Sequence, residues 1–162
     1  MIEIRKYEEE DKEQMWQIIK HVISGGDSYT DAPDATRDEM LDGWCSREKH
    51  TYVAVSGGKI VATFYIKPNQ TGLGSHIANG SYMVAPEARG KGVGRTIGEF
   101  SIAEAKRLGF HAMQFNFVVK SNEVAVRLWL ALGFEIIGEI PEAFQHKENG
   151  LTNALIMYRK LW

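Results

Sequence analysis

The sequence predicts a single α/β domain with a mixed sheet. Two periodicities and their punctuation predict it. Short segments alternate apolar and polar residues with a period of two, longer ones repeat apolar residues at about 3.6, and glycines stand where one pattern yields to the next. The order that results is β-α-α-β-β-β-α-β-α-β-β. At 162 residues the chain reads as one domain, 1–162, without linker, repeat or low-complexity tract. Its 44% hydrophobic and 25% charged residues are those of an ordinary globular protein.

Residues 1–7 alternate as a strand, with Ile2 and Ile4 on one face. Residues 8–24 form a helix: Met15, Ile18, Ile19 and Val22 make the apolar stripe, acidic residues fill the first turn, and Gly25-Gly26 ends it. Segment 27–42 carries six acidic residues against Arg37, and Thr36 with Glu39 makes a capping box for a second helix reaching Trp44. Two readings of this segment stand: a solvated, acid-rich helix start, or a cover over a binding site that attracts a cationic amine, with Tyr29 as a wall. Residues 51–55 and 59–66 are strands joined through Ser56-Gly57-Gly58, a hairpin signal. Residues 67–75 read as a polar loop, and 76–84 as a strand with room for a bulge at Gly80.

After a glycine turn, a helix presents Ile97, Ser101, Ala105 and Leu108 on one side and stops at Gly109. Residues 112–119 are a strand with Met113, Phe115, Phe117 and Val119 on one face and Gln114, Asn116 and Val118 on the other. Asparagine is a poor strand residue, so Asn116 calls for an explanation. Residues 121–132 form a helix buried through Ala125, Leu128, Trp129 and Leu132, with Gly133 as its stop. Residues 135–140 and 151–161 are the last strands, joined by the loop PEAFQHKENG.

The turn at 89–95 carries the chemistry. Gly90, Gly92 and Gly94 alternate with Lys91 and Val93, so the backbone can curl tightly and approach a ligand with no Cβ in the way. The helix that follows begins with unpartnered N–H groups and the positive end of its dipole, and Arg89, Lys91 and Arg95 add positive charge. That is a cradle for a pyrophosphate. The spacing fits neither a Walker A loop, which ends in Lys and Ser or Thr, nor the Gly-x-Gly-x-x-Gly dinucleotide fingerprint.

What remains, Arg89-x-x-Gly92-x-Gly94 after a Val-x-Pro strand end, resembles the coenzyme A pyrophosphate loop of the GNAT superfamily of N-acetyltransferases. The likeness covers most of the chain and is strongest over 79–162. MQFNFVVKSNEVAVRLWLALGFEIIGEIPEAF is similar to a branch that includes proline-analogue (azetidine-carboxylate) N-acetyltransferases. The resemblance implies the GNAT fold, a mixed and mostly antiparallel sheet of about seven strands flanked by four helices. It implies acetyl-CoA as co-substrate and direct attack of an amine on the thioester.

Carried over by position, Met83 and Val84 offer main-chain bonds to the pantetheine arm, which pairs as an added strand, and the Val84 N–H is the oxyanion donor. Arg89, Gly90, Lys91, Gly92, Val93, Gly94 and Arg95 hold the pyrophosphate. Asn122 matches the asparagine that opens the fourth helix and contacts pantetheine; by itself an asparagine there is also a simple N-cap. Ala125 and Trp129 line the same helix. Trp129 stands where many relatives have a tyrosine that protonates the thiolate, and an indole N–H is no useful acid at neutral pH. The proton then comes from water, or from a water oriented by Asn122, and a packing residue of the sheet is the other reading of Trp129.

Asn79 and Asn116 match positions that hold the acceptor's carboxylate in the proline-analogue branch, and amide N–H groups suit that task. A buried amide bonded to its neighbours is the plain alternative. Tyr82, His76 or a water chain could take the ammonium proton. The acceptor is then an amino acid or analogue, with a peptide N-terminus, a polyamine, an amine antibiotic, or a non-catalytic acyl-CoA binding role as the other readings.

The net charge of −2 argues against a nucleic-acid partner, so small molecules are expected. No metal is expected, because the five histidines are dispersed and Cys45 is the lone cysteine. No apolar run suits a membrane, and no signal-like N-terminus or disulfide pair is present, so a cytoplasmic location is expected. The family likeness also implies a homodimer paired through the C-terminal strands.

Overall fold

Seven strands and four helices follow one another in the expected order: β1 (Glu3–Lys6), α1 (Lys12–Ser24), α2 (Arg37–Trp44), β2 (His50–Ser56), β3 (Lys59–Pro68), β4 (Ile77–Val84), α3 (Val93–Arg107), β5 (Ala112–Val119), α4 (Glu123–Ala131), β6 (Glu135–His146) and β7 (Gly150–Lys160). The computed structural model describes residues 1–162. One sheet runs β1-β2-β3-β4-β5-β7-β6. Every neighbouring pair is antiparallel except β4 and β5, which are parallel.

The pleat assigns the helices to faces. Thr63 and Tyr65 of β3 turn one way: the Trp44 indole N–H of α2 donates to Thr63 Oγ1 at 3.0 Å, and the ring lies edge-on to Tyr65 with centroids 4.8 Å apart. Phe64 turns the other way, stacks on Tyr82 at 5.6 Å and meets Phe100 of α3 at 5.9 Å. The pair α1 and α2 therefore covers one face and α3 and α4 the other, with the core between them and the sheet. Met15, Ile18, Ile19 and Val22 are buried as the α1 stripe requires. Thr36 and Glu39 form the expected capping box of α2.

Three local expectations are corrected. β6 runs on to His146 through most of the segment read as a loop. Pro141 is tolerated because β6 is an edge strand and its register shifts between Ile140 and Phe144, so no ladder bond needs the missing N–H. Gly80 sits in unbroken register opposite Ile66 and not in a bulge. It is required because a Cβ there would lie 2.8 Å from the Tyr65 carbonyl oxygen and 2.9 Å from the Tyr82 hydroxyl. The bulge falls in β5 instead, between Phe115 and Val118, which breaks the strict alternation and leaves Asn116 exposed while Val118 and Val119 are both buried. That is the explanation Asn116 called for.

The N-terminal strand is pinned to α1 by a charge pair. Arg5 donates to both Asp11 carboxylate oxygens, at 2.7 and 3.0 Å, and the Glu8 N–H donates to the same carboxylate at 2.7 Å. The Arg5 hydrogen bonds hold the Asp11 carboxyl below the usual carboxylate range, against the opposing effect of its burial. A folded value below the unfolded one, about 3.9, means stability that is present above that value and lost as pH falls through the folded value. Asp11→Asn should therefore lower unfolding free energy by about 1–2 kcal/mol at neutral pH, and the gap between variant and parent in urea titrations should narrow in acid. A gap that does not change with pH would show that the charge is not what stabilises the corner.

Candidate active site

β4 and β5 pair only at Ile77 with Ala112 and Ala78 with Met113, then part. Beyond that point the two strands leave a gap, and the direction of each main-chain group of β4 decides what faces it. Odd residues look towards β3, since Asn69 N–H donates to Ile77 O and Ala85 N–H to Val61 O; even ones look the other way, since His111 N–H donates to His76 O. By this alternation Gly80, Tyr82 and Val84 direct N–H and C=O at the gap, while Met83 pairs with Thr63 on β3 and its side chain is in the core. The main-chain groups of Met83, expected to meet a ligand, thus face β3, while those of Val84 lie on the open edge.

The gap has a floor of aromatic rings. Trp129 of α4 lies 4.8 Å from Tyr82 of β4 and 4.5 Å from Phe115 of β5, centroid to centroid, with Phe134 at 5.4 Å. At 6% exposure it packs the wedge that fills the space between the parting strands. The Tyr82 side chain, expected among the catalytic groups, turns its hydroxyl away to α3. Its hydroxyl donates to Ser101 Oγ at 2.8 Å, which donates on to Gly98 O at 2.8 Å, and burial pushes the hydroxyl up, which keeps it protonated. His76 stands six residues before Tyr82, about 20 Å along an extended strand, and is exposed beside His111.

One unanticipated contact closes the edge. Tyr29, from the connection between α1 and α2, donates its hydroxyl to Tyr82 O at 2.5 Å and accepts from Tyr82 N–H at 3.0 Å. A phenol thus makes the two bonds that a residue of a neighbouring strand would make. Burial keeps this hydroxyl protonated by pushing it up. The sequence reading had Tyr29 as a wall; the structure brings it onto the β4 edge. The acid-rich segment around it is solvated, with Glu39 taken up by the capping box and Asp38 beside Arg37.

At the C-terminal end of β4 the turn opens α3. Gly90 and Gly92 have φ of 74° and 80°, left-handed values that other residues rarely adopt. Gly92 is the N-cap and has no side chain to cap with, so the first N–H groups of α3 are left for a ligand or solvent. Arg89 and Lys91 are exposed and in no ion pair, Arg95 pairs with Glu99 at 2.8 Å, and Val93 turns its side chain into the core, so it can offer only its main chain. Gly94 faces α4: a Cβ there would meet Leu128 at 3.6 Å. Asn122 caps α4, its Oδ1 accepting from Ala125 N–H at 3.4 Å, which leaves its Nδ2 group for another partner. These residues suit a diphosphate with a polar arm running from it along β4.

Asn79 and Asn116 are brought together at the vertex of the gap, and through a residue that the sequence reading passed over. Both donate Nδ2–H to Asn69 Oδ1, at 3.3 and 2.7 Å, and Gln114 Nε2–H donates to Asn116 Oδ1 at 3.0 Å. Nothing in the sequence singles out Asn69, which lies in a polar stretch among other turn formers; only the pairing of β3 with β4 places it here.

A sheet whose central parallel pair splays beside a glycine-rich helix start defines an acyl-coenzyme A-dependent transferase fold. A family model, the acetyltransferase (GNAT) family, matches residues 7–134, and the chain belongs to that family. A GCN5-related N-acetyltransferase from Kribbella flavida superposes with a TM-score of 0.94 at 37% identity, covering 98% of this chain and 97% of that one. The Salmonella typhimurium yncA structure, which holds acetyl-CoA, shares the fold with a TM-score of 0.88 at 22% identity, covering 100% of this chain and 95% of that one. Among curated relatives, N-acetyltransferase aca1 of Schizosaccharomyces pombe is 40% identical over 98 residues, 60% of this chain and 47% of that protein. The chain thus spans less than half the length of that relative.

Tyr29→Phe removes both hydrogen bonds from the Tyr82 main chain. It should lower unfolding free energy by about 1–2 kcal/mol and speed amide hydrogen exchange at Tyr82. Unchanged exchange at Tyr82 would show that the hydroxyl does not hold this edge.

Proposed function

We propose that the protein transfers an acetyl group from acetyl-CoA to the amine of a small molecule, an amino acid or a close analogue. The observation that carries this is the open β4 edge ending in a glycine turn with left-handed Gly90 and Gly92 and an uncapped helix start. Acetyl-CoA supplies the thioester carbon that the amine attacks. Arg89, Lys91 and the main-chain amides from Gly90 to Arg95 hold its diphosphate, and the amide group of Asn122 meets the arm. Val84, whose main chain faces the gap with no strand opposite it there, offers the N–H group that steadies developing negative charge on the thioester oxygen. Asn79 and Asn116 hold a carboxylate on the acceptor, a reading supported by their meeting at Asn69 beside the gap and implied by the likeness to the proline-analogue branch.

With Tyr82 and Trp129 committed to packing, water in the gap carries protons from the amine and to the thiolate. The exposed Ile136, Ile137 and Ile140 on edge strand β6 support pairing of two copies. The lone Cys45 supports a reducing, cytoplasmic setting, and no helix is long and apolar enough to cross a membrane.

Calorimetry should detect acetyl-CoA binding, and an amine panel should release free thiol with amino acids foremost. Gly92→Val, which forces a β-branched residue to a φ of 80°, should weaken acetyl-CoA binding about tenfold, corresponding to a backbone strain of about 1–2 kcal/mol. No heat of binding in the parent protein would remove the proposal. Separately, Asn116→Ala should raise KM for a carboxylate-bearing amine about tenfold or more and leave KM for acetyl-CoA nearly unchanged; equal effects on both would remove the acceptor assignment.

A further inference from the structure

The four amides at the vertex of the gap form a chain with a fixed direction. It begins at a group that cannot turn over: the Gly80 N–H donates to Asn79 Oδ1 at 2.7 Å. With its oxygen held there, Asn79 must present Nδ2 on its other side, and it donates to Asn69 Oδ1 at 3.3 Å. Asn69 Oδ1 also receives Asn116 Nδ2–H at 2.7 Å, which turns Asn116 Oδ1 outward to accept from Gln114 at 3.0 Å. One main-chain N–H thus sets the orientation of three asparagines and a glutamine, and Asn69 is the link through which it passes from β4 to β5.

The consequence is a surface on which donors outnumber acceptors. Three amide oxygens in the chain, those of Asn79, Asn69 and Asn116, are occupied from within it, while each amide nitrogen has two N–H groups and uses at most one on its neighbours. The surplus on the three asparagines is of donors, and Gln114 Oε1 is the one amide oxygen of the four without a partner in the protein. Asn69 Nδ2 makes no bond within the protein, and Asn116 is exposed with Asn69, Asn79 and Gln114 half-buried, so a ligand in the gap can reach them. Such a surface favours an acceptor-only group, an ionised carboxylate above all, over a carboxamide, whose N–H groups find fewer partners there.

We propose that Asn69 is a positioning residue that fixes the amide chain so that it selects amines carrying a carboxylate over the same amines with that group amidated. This rests on the reading of Asn79 and Asn116 as the acceptor site. Asn69→Asp is the incisive variant: the carboxylate still accepts from Asn79 and Asn116, so the network keeps its shape, but its free donors are replaced by a negative charge.

The test uses ¹⁵N-labelled protein titrated with L-proline and with L-prolinamide, following the side-chain amide signals of Asn79, Asn116 and Gln114. In the parent these should shift with proline at a concentration at least about tenfold below that needed with prolinamide. In Asn69→Asp the preference should vanish or reverse, while the affinity for acetyl-CoA is retained. No shift in the parent, equal responses to the two ligands, or a preference that survives Asn69→Asp would each overturn the proposal. Because the signals report binding and not turnover, amide shifts without thiol release would sink the acetyl-transfer reading and leave this one standing. Thiol release without amide shifts would do the reverse.

Discussion

The structure depends on a parallel strand pair that stops too soon. After Ala78 and Met113, β4 has lost a partner on one side, and in a folded protein a row of main-chain N–H and C=O groups must find others. The chain satisfies part of that need itself, with the Asn79 side chain on the Gly80 N–H and the Tyr29 hydroxyl on both groups of Tyr82. No strand covers Val84. An edge so arranged is suited to an extended ligand with amide groups of its own, and it leads straight into the glycine turn where such a ligand's anionic end can rest.

The gap persists because it is packed from below. Trp129 touches rings from both parting strands, Tyr82 on β4 and Phe115 on β5, and Phe134 stacks on Phe115 with centroids 4.6 Å apart. Closing the strands would expel an indole from a filled site, at the cost that core packing imposes on such a change. The same packing engages two side chains that border the gap. Tyr82 and Trp129 have protic groups and stand beside the gap, yet one hydroxyl is bound to Ser101 and the indole is part of the wedge. The groups left open beside the gap are main-chain groups, amides and a helix start, not titrating side chains.

Much of this was legible from local pattern. The α1 stripe, the Thr36–Glu39 box, the Gly57-Gly58 hairpin and the turn at 90–94 each follow from a few consecutive residues, because helix period, capping and left-handed backbone are properties of neighbours in the chain. The misplaced features are those set by partners far away. Pro141 stopped the reading of a strand that continues because it lies on an edge, and Gly80 suggested a bulge when it makes room for Tyr65 and Tyr82. Asn116 drew notice as an odd residue in a strand, but the bulge that accommodates it arises from register with β7.

By itself, then, the sequence determined the elements, their order and the glycine turn that opens α3, all of which depend on interactions between near neighbours in the chain. Tertiary structure alone decided which main-chain groups of β4 face the gap, that Tyr29 reaches them across 53 positions of chain, and that Asn69 joins Asn79 to Asn116. The physical reason is that hydrogen bonds between side chains distant in sequence depend on sheet register and strand divergence, and no local period encodes either one.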